Sequence, residues 1–405
     1  FISDLVMLVG NFLLFVLGVV LLQGAVAIPI GAQSTTSNCS TCKGPVHSWK
    51  TFPVAFHCAE TNTSKDGTFT DEQLDIIAQF PLVTIEKWQG SNAPVFLWEE
   101  DAMVATAKQV KTKNPAASVI VWLDSMRIYS GWNYPDKKGE PVNHTLNPDA
   151  TPGCATGHFL PAEFLEKHPD FLLKNVSGKP ALETLGKCHI YNFLLPEVRQ
   201  YWTAMCLAMT ASGVIDGCGA DASWQNGWDQ RVAWDLDDDT ARAWNKGHQE
   251  MMRDTTAALG DGLLVAKDPW EIGVYANAAL HEGCDANNET ITTLRNLTEM
   301  SRATKQRGVY ECHTYCSSAA DCVDSAAAFL VGAGVDHYFV VGEWTSNNGS
   351  IADHWFPELF EPSLGEPLSD GVYDSKTASW SRMFGSGTVV TFDTRSNKGE
   401  IKWAS

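Results

Sequence analysis

Short β-rich apolar runs along this chain end on residues that can hold or move a proton: His57, Glu86, Asp124, Asp221, Asp268, Glu311 and Glu343. Side chains alternate between the two faces of a strand. Stepping back by two from Asp221 meets Gly219, Gly217 and Ile215, a set that fits a crowded interior. The same count from Asp124 meets Trp122 and Ile120. From Glu311 it meets Val309 and, going forward, His313; from Glu343 it meets Val341 and Phe339. At least four carboxylates are therefore expected to point into one mouth. Opposed carboxyl groups are what cleavage of a glycosidic bond needs. One is kept protonated and gives its proton to the leaving oxygen; the other attacks the anomeric carbon or activates water.

That chemistry needs one of these groups as nucleophile or base and another as acid, for which Glu311 and Glu343 are candidates, with Glu343 preferred because Trp344 stands beside it. Glu86, Asp124 and Asp268 would hold sugar hydroxyls. Trp88, Trp122, Trp224, Trp270 and Trp344, among the chain's 15 tryptophans, stand close to strand ends and offer flat faces to sugar rings. His57 and His313 are expected in the same mouth as hydrogen-bonding residues rather than metal ligands, since no compact His/Asp ligand spacing occurs. No cofactor is expected. A bland role competes at each position, because strand-end acids also cap loops and most tryptophans pack cores. The rival to an enzyme is a barrel that binds glycan, or builds a surface layer, without cleaving it.

The elements that must position these residues are strands alternating with amphipathic helices. The runs are Phe52–His57, Leu82–Trp88, Ser118–Asp124, Gly213–Asp221, Leu263–Asp268, Gly308–His313 and Val335–Glu343. Between them lie helices over about Trp98–Lys113, from Pro196, and over Thr240–Leu259, with Thr70-Asp-Glu-Gln capping an earlier one. Such alternation implies βαβ units and a parallel sheet. Seven units without a glycine-rich phosphate loop favour a closed (β/α)8 barrel over a doubly wound nucleotide fold. The tail, Ser379–Trp403, reads as a hairpin that either closes the barrel or caps it.

The apolar run Leu5–Leu22, followed by Ala25-Val26-Ala27, predicts a signal peptide over residues 1–27. An uncleaved membrane anchor is the alternative. With no Met or basic residue ahead of it, the sequence is expected to be truncated at its start. A stub over 28–50, a barrel over 51–368 and a β segment over 369–405 complete the expected organisation. Acceptor triplets for N-linked glycan begin at Asn38, Asn62, Asn143, Asn175, Asn288, Asn296 and Asn348. The 11 cysteines are expected to be largely paired in an oxidising compartment. Cys39/Cys42 and the group Cys312, Cys316, Cys322 are the locally pairable ones. A net charge of −19 spread along the chain argues against nucleic-acid or anionic-membrane partners. A carbohydrate is the expected partner, outside the cytosol.

Three segments carry a family likeness. Gly213-Val-Ile-Asp-Gly-Cys-Gly-Ala-Asp221 resembles the strand of many barrel glycosidases whose last Asp is catalytic, which implies that role for Asp221. Tyr191-Asn-Phe-Leu-Leu-Pro-Glu-Val-Arg199 resembles the element upstream of that strand, with Asn192 where those enzymes commonly have Asp. Ser381-Arg-Met-Phe-Gly-Ser-Gly-Thr-Val-Val390 resembles the segment that ends several glycosidases of this kind. Taken from Thr51 to Trp403, the chain resembles an uncharacterised glycoside hydrolase of the (β/α)8 barrel superfamily. Lys267-Asp268 departs from the pattern, since a Glu is common at that strand end.

Overall fold

Strands rich in Val, Ile and Leu that are buried along their whole length need cover on both faces, which only a helix-wrapped parallel sheet provides. The computed structural model, which describes residues 44–60, 67–90, 99–128, 132–135, 141–144, 165, 167–183, 188–223, 227–267, 275–304, 308–346 and 351–404, shows how that need is met. Eight parallel strands close on themselves: β1 Val54–Glu60, β2 Leu82–Ile85, β3 Ser118–Asp124, β4 Gly217–Asp221, β5 Leu263–Ala266, β6 Ala278–Glu282, β7 Val309–Thr314 and β8 His337–Val341. Each pairs with the next, and β8 pairs with β1 through Val54↔Phe339 and Ala55↔Val340. The helices between them are α1 Asp71–Ile77, α2 Glu99–Lys113, α3 Pro196–Thr210, α4 Asp238–Leu259, α5 Asn288–Thr304 and α6 Ala319–Gly332. Thr70 and Gln73 form the capping box expected at α1.

The barrel interior is a small cluster of Ala55, Leu82, Ile120, Trp122, Leu263, Val265, Ala278, Leu280, Val309, Tyr338 and Val340. The other face of each strand joins the larger core beneath the helices, including Phe56, Val121, Cys218, Leu264, Cys312, Phe339 and Val341. Two glycines let the interior close up, one of them beneath its bulkiest side chain. A Cβ at Gly219 would enter the ring of Trp122, and one at Gly217 would meet the backbone of Leu263. Gly219, read inward from Asp221, thus leaves the space that Trp122 occupies, whereas Ile215 lies in the core beneath the helices.

The tail does not close the barrel. The missing strand is β6, a short run with two alanines and little of the branched or aromatic content that marks a strand. The tail forms a separate antiparallel sheet of four strands, β9 Val372–Asp374, β10 Ser379–Met383, β11 Val389–Asp393 and β12 Lys398–Lys402. The expected hairpin is β11–β12, with Val390 opposite Ile401. Gly399 lies against Ala327 of α6, and buried Arg382 donates to the carbonyls of Leu330 (2.8 Å) and Ala333 (2.5 Å). Disulfides join Cys206 to Cys218, Cys284 to Cys312 and Cys316 to Cys322, while Cys58 is a buried thiol.

Candidate active site

At the C-terminal ends of the strands, where barrels do their work, a chain of charged groups runs from the interior to the open mouth. Glu311 follows Val309 inward on β7 and is wholly buried. Its Oε1 accepts from Thr84 (3.2 Å) and its Oε2 lies 3.6 Å from Nδ1 of His57. His57 Nε2 is 2.9 Å from Oε2 of Glu86, and Glu86 Oε1 accepts from Nζ of Lys87 at 2.6 Å. Lys87 lies in the turn after β2, where strand alternation has ended, so it and Glu86 both reach the site. Its ammonium also donates to Asp221 Oδ2 at 2.7 Å. Asp221 Oδ1 accepts from the backbone N–H of Ala222 (2.8 Å) and lies 3.1 Å from Nζ of Lys267. Lys267 in turn contacts Glu282 Oε2 at 2.6 Å, and Tyr315 donates to Glu282 Oε1 at 3.0 Å.

Electrostatics follow from this order. Burial alone would raise the carboxyl pKa of Asp221, but the ammonium groups of Lys87 and Lys267 outweigh it and hold the group well below the usual carboxylate range. Burial lowers the pKa of His57, yet the carboxylates of Glu311 and Glu86 on its two nitrogens leave it raised overall. Burial lowers His313 well below an ordinary imidazole; its Nε2–H donates to the carbonyl of Gly342 (2.9 Å) and its ring stacks on Trp344, centroids 3.8 Å apart. Exposure rises along the chain of charges. Lys267 keeps 20 % and Glu282 33 % of the side chain open, so the Glu282 end is the one that solvent reaches.

Several residues lie where the alternation places them, and others do not. Asp124 is inward beside Asp221, paired with it across β3 and β4. Its carboxylate closes its own loop, accepting from the N–H of Met126 (2.8 Å) and Arg127 (2.5 Å). Burial, with Asp221 adding to it, raises its pKa. Trp122 is interior packing against Gly219 rather than an open face for sugar. Trp88 is half-buried with Lys87 Nζ 4.6 Å from its ring centre, and Trp344 is half-buried against His57 and His313. The alternation counted back from Glu343 does not hold: Phe339 and Val341 face the helices, while Tyr338 and Val340 face inward. Gly342 turns the chain at a φ of 102°, which leaves Glu343 exposed. Asp268, Trp224, Trp270, Asn38, Asn62 and Asn348 lie outside the described residues, and of Asn143 only the backbone, in the strand Pro141–His144, is described. Glu282, Lys87, Tyr315 and Thr84 were not singled out by sequence. Only the departure at Lys267 pointed toward them.

The model of a family described as hypothetical glycosyl hydrolase family 15 matches residues 111–388, more than half of the chain. The chain belongs to that family. The match spans Asp221, Lys267 and Glu282, whereas His57, Glu86 and Lys87 precede it. No curated protein matches the chain. Among solved structures, the glycoside hydrolase domain of PelA from Pseudomonas aeruginosa is similar at 12 % identity and a TM-score of 0.41, covering 74 % of this chain and 96 % of that one. An α-galactosidase from Thermus thermophilus, TtGalA, in complex with p-nitrophenyl α-D-galactopyranoside, is similar at 12 % identity and a TM-score of 0.42, covering 76 % and 61 %. An uncharacterised protein from Listeria monocytogenes, in complex with glucose, magnesium and calcium, gives 7 % and 0.46, covering 74 % and 29 %. No residue's role rests on these likenesses.

Proposed function

We propose that this family member cleaves glycosidic bonds of an oligosaccharide or polysaccharide outside the cytosol, with Asp221 as nucleophile and Glu282 as acid and base. One observation carries the reading: a single ammonium, Nζ of Lys267, touches both carboxylates. Those oxygens can then be no more than about 6 Å apart, which fits the close pairs of retaining enzymes better than the wider pairs of inverting ones. Glu282, once it has taken up a proton from water at its open end, gives that proton to the leaving oxygen while Asp221 attacks the anomeric carbon, forming a glycosyl ester. Glu282 then takes a proton from the water that attacks this ester, which returns Asp221 as carboxylate. Asp221 is ionised for attack because Lys87 and Lys267 hold it so. Glu282 sits at the wet end, where water can reach it. Neither of the acids first favoured meets this need: Glu311 is sealed beneath His57, and Glu343 lies past the turn at Gly342.

The three described disulfides support an oxidising compartment. The test is a hydrolysis screen of purified, exported protein on a polysaccharide panel, followed by NMR of the first anomer released. Retention is expected. An inverted product would reassign Asp221 to activating water, and binding without cleavage on every substrate would favour the glycan-binding reading.

A further inference from the structure

A second surface, which the proposed chemistry does not use, joins α5 to the C-terminal sheet. A groove of about 460 Å³ is lined there by Asn288, Tyr373, Trp380 and Thr394. Tyr373 and Trp380 face each other across β9 and β10, their ring centres 5.1 Å apart. Trp380 is packed, 8 % exposed, with the Arg295 guanidinium 4.7 Å from its ring centre; Tyr373 is 44 % exposed and offers its ring to the groove. Asn288 is exposed and opens the acceptor triplet Asn288-Glu289-Thr290. Its Oδ1 accepts from Nε1 of Trp380 at 2.8 Å. That bond holds the amide at the edge of the groove by its oxygen, and among the described residues none bonds Nδ2, the atom to which a glycan is joined.

We propose that Asn288 carries an N-linked glycan whose first saccharide units lie in this groove against Tyr373, fastening α5 to the C-terminal sheet. An N-acetylhexosamine has an apolar ring face and an acetyl methyl that suit an aromatic wall, with hydroxyls left for solvent. The volume falls within the usual range for a bound small molecule. In the transfer, Asn288 Nδ2 bonds to the anomeric carbon of the first sugar. That carbon's bond to the diphosphate of a lipid-linked donor breaks, and the amide loses a proton. Thr290, which the transferring enzyme must also recognise, is only 2 % exposed, so transfer precedes the packing of α5. Elsewhere the seam is polar: Arg295 donates to the carbonyl of Gly371 (2.8 Å), and Arg302 grips Asp370 through two bonds of 2.8 Å. The glycan adds contact on the exposed Tyr373 side of a junction that packed Trp380, Arg295 and the Arg302–Asp370 pair already hold.

The test uses full-length protein secreted from a glycosylating host, with site occupancy by peptide mass spectrometry and melting temperatures for four forms. These are wild type, Thr290→Val, Tyr373→Ala and the double variant. Thr290→Val abolishes the acceptor while keeping the shape of the side chain and the Asn288–Trp380 bond. Asn288 is expected to be occupied, and Thr290→Val to lower Tm by on the order of 1–2 °C, with no further drop once Tyr373 is gone. Should Tyr373→Ala not be secreted, endoglycosidase release from native wild type serves instead, and should be several-fold slower at Asn288 than at other occupied acceptors. An unoccupied Asn288 overturns the proposal. So does an unchanged Tm in Thr290→Val, an equal drop in both backgrounds, or release as fast as elsewhere. None of these readouts depends on hydrolysis.

Discussion

Asp221 is held by two ammonium groups and a backbone N–H, so neutralising it affects both stability and chemistry. Asp221→Asn leaves Lys87 and Lys267 short of a counter-charge in a buried place, which costs stability as well as turnover. Melting temperature therefore cannot separate a catalytic Asp221 from a structural one, and kinetics must. We expect turnover to fall about a thousandfold or more in Asp221→Asn, equivalent to ~4 kcal/mol of barrier. In Glu282→Gln the loss should be largest for poor leaving groups and small for activated aryl glycosides, which need no proton. Glu343→Gln should stay near wild type. If Asp221→Asn keeps more than about a tenth of turnover, a loss of only ~1.4 kcal/mol, the residue is not the nucleophile.

The same buried chain sets a pH dependence of stability. The lowered pKa of Asp221 contributes stability that is present above its unfolded value of about 3.9 and is lost as pH falls through the folded one. The raised pKa of His57 acts the other way: its contribution is complete below about 6.5 and disappears as pH rises through the folded value. Wild-type Tm should therefore decline above neutral pH more steeply than that of His57→Gln. Parallel curves for the two would mean that His57 does not bridge Glu86 and Glu311 as an imidazolium.

At the scale of elements, β3 and β4 fit only because Gly219 has no side chain where Trp122 lies, and Gly217 gives β5 the same room at Leu263; Asp221 is aimed by that fit. Gly219→Ala places a methyl in the ring of Trp122, whose neighbours in the barrel are themselves packed. Such overpacking costs typically 1–3 kcal/mol, and about that loss is expected in urea titration. Turnover should fall as well, because β4 cannot shift without moving Asp221 from Lys87. A Gly219→Ala protein as stable and as active as wild type would show that the two strands pack loosely enough to take a methyl group. On the next strands, the Cys284–Cys312 bridge ties the residues just after Glu282 to β7; both cysteines are buried, so a reductant should reach the bridge only when the barrel opens, and activity and fold should be lost together.

Over the whole molecule, the C-terminal sheet covers α6, a helix buried from Ser325 to Gly332 and rich in alanine. Arg382 caps the carbonyls of Leu330 and Ala333 at the end of that helix, and Lys398 pairs with Asp324 at 2.7 Å. Deleting residues 369–405 should expose this helix and abolish soluble expression. Secretion of an active truncated barrel would show instead that the sheet is a separable cap.

Local order in the sequence determined a good deal of this protein. Alternation placed Asp221, Asp124 and Glu311 inward, since a side chain within a strand has no choice of face once its neighbours are known. Thr70 and Gln73 marked the start of α1, and the turn at Arg395–Gly399 marked the β11–β12 hairpin, because caps and turns are satisfied within a few residues. Cys316 and Cys322 pair as proximity suggests, but Cys312 bonds Cys284, across two strands. Tertiary structure alone decided the rest. β6 becomes a strand by pairing with β5 and β7, a stabilisation that its two alanines do not announce. Past a strand end the alternation lapses, so Gly342 turns Glu343 out to solvent and Lys87 reaches in. The carboxylate that shares Lys267 with Asp221 is Glu282, sixty-one positions on, brought near because closing the barrel sets Lys267, just after β5, between them.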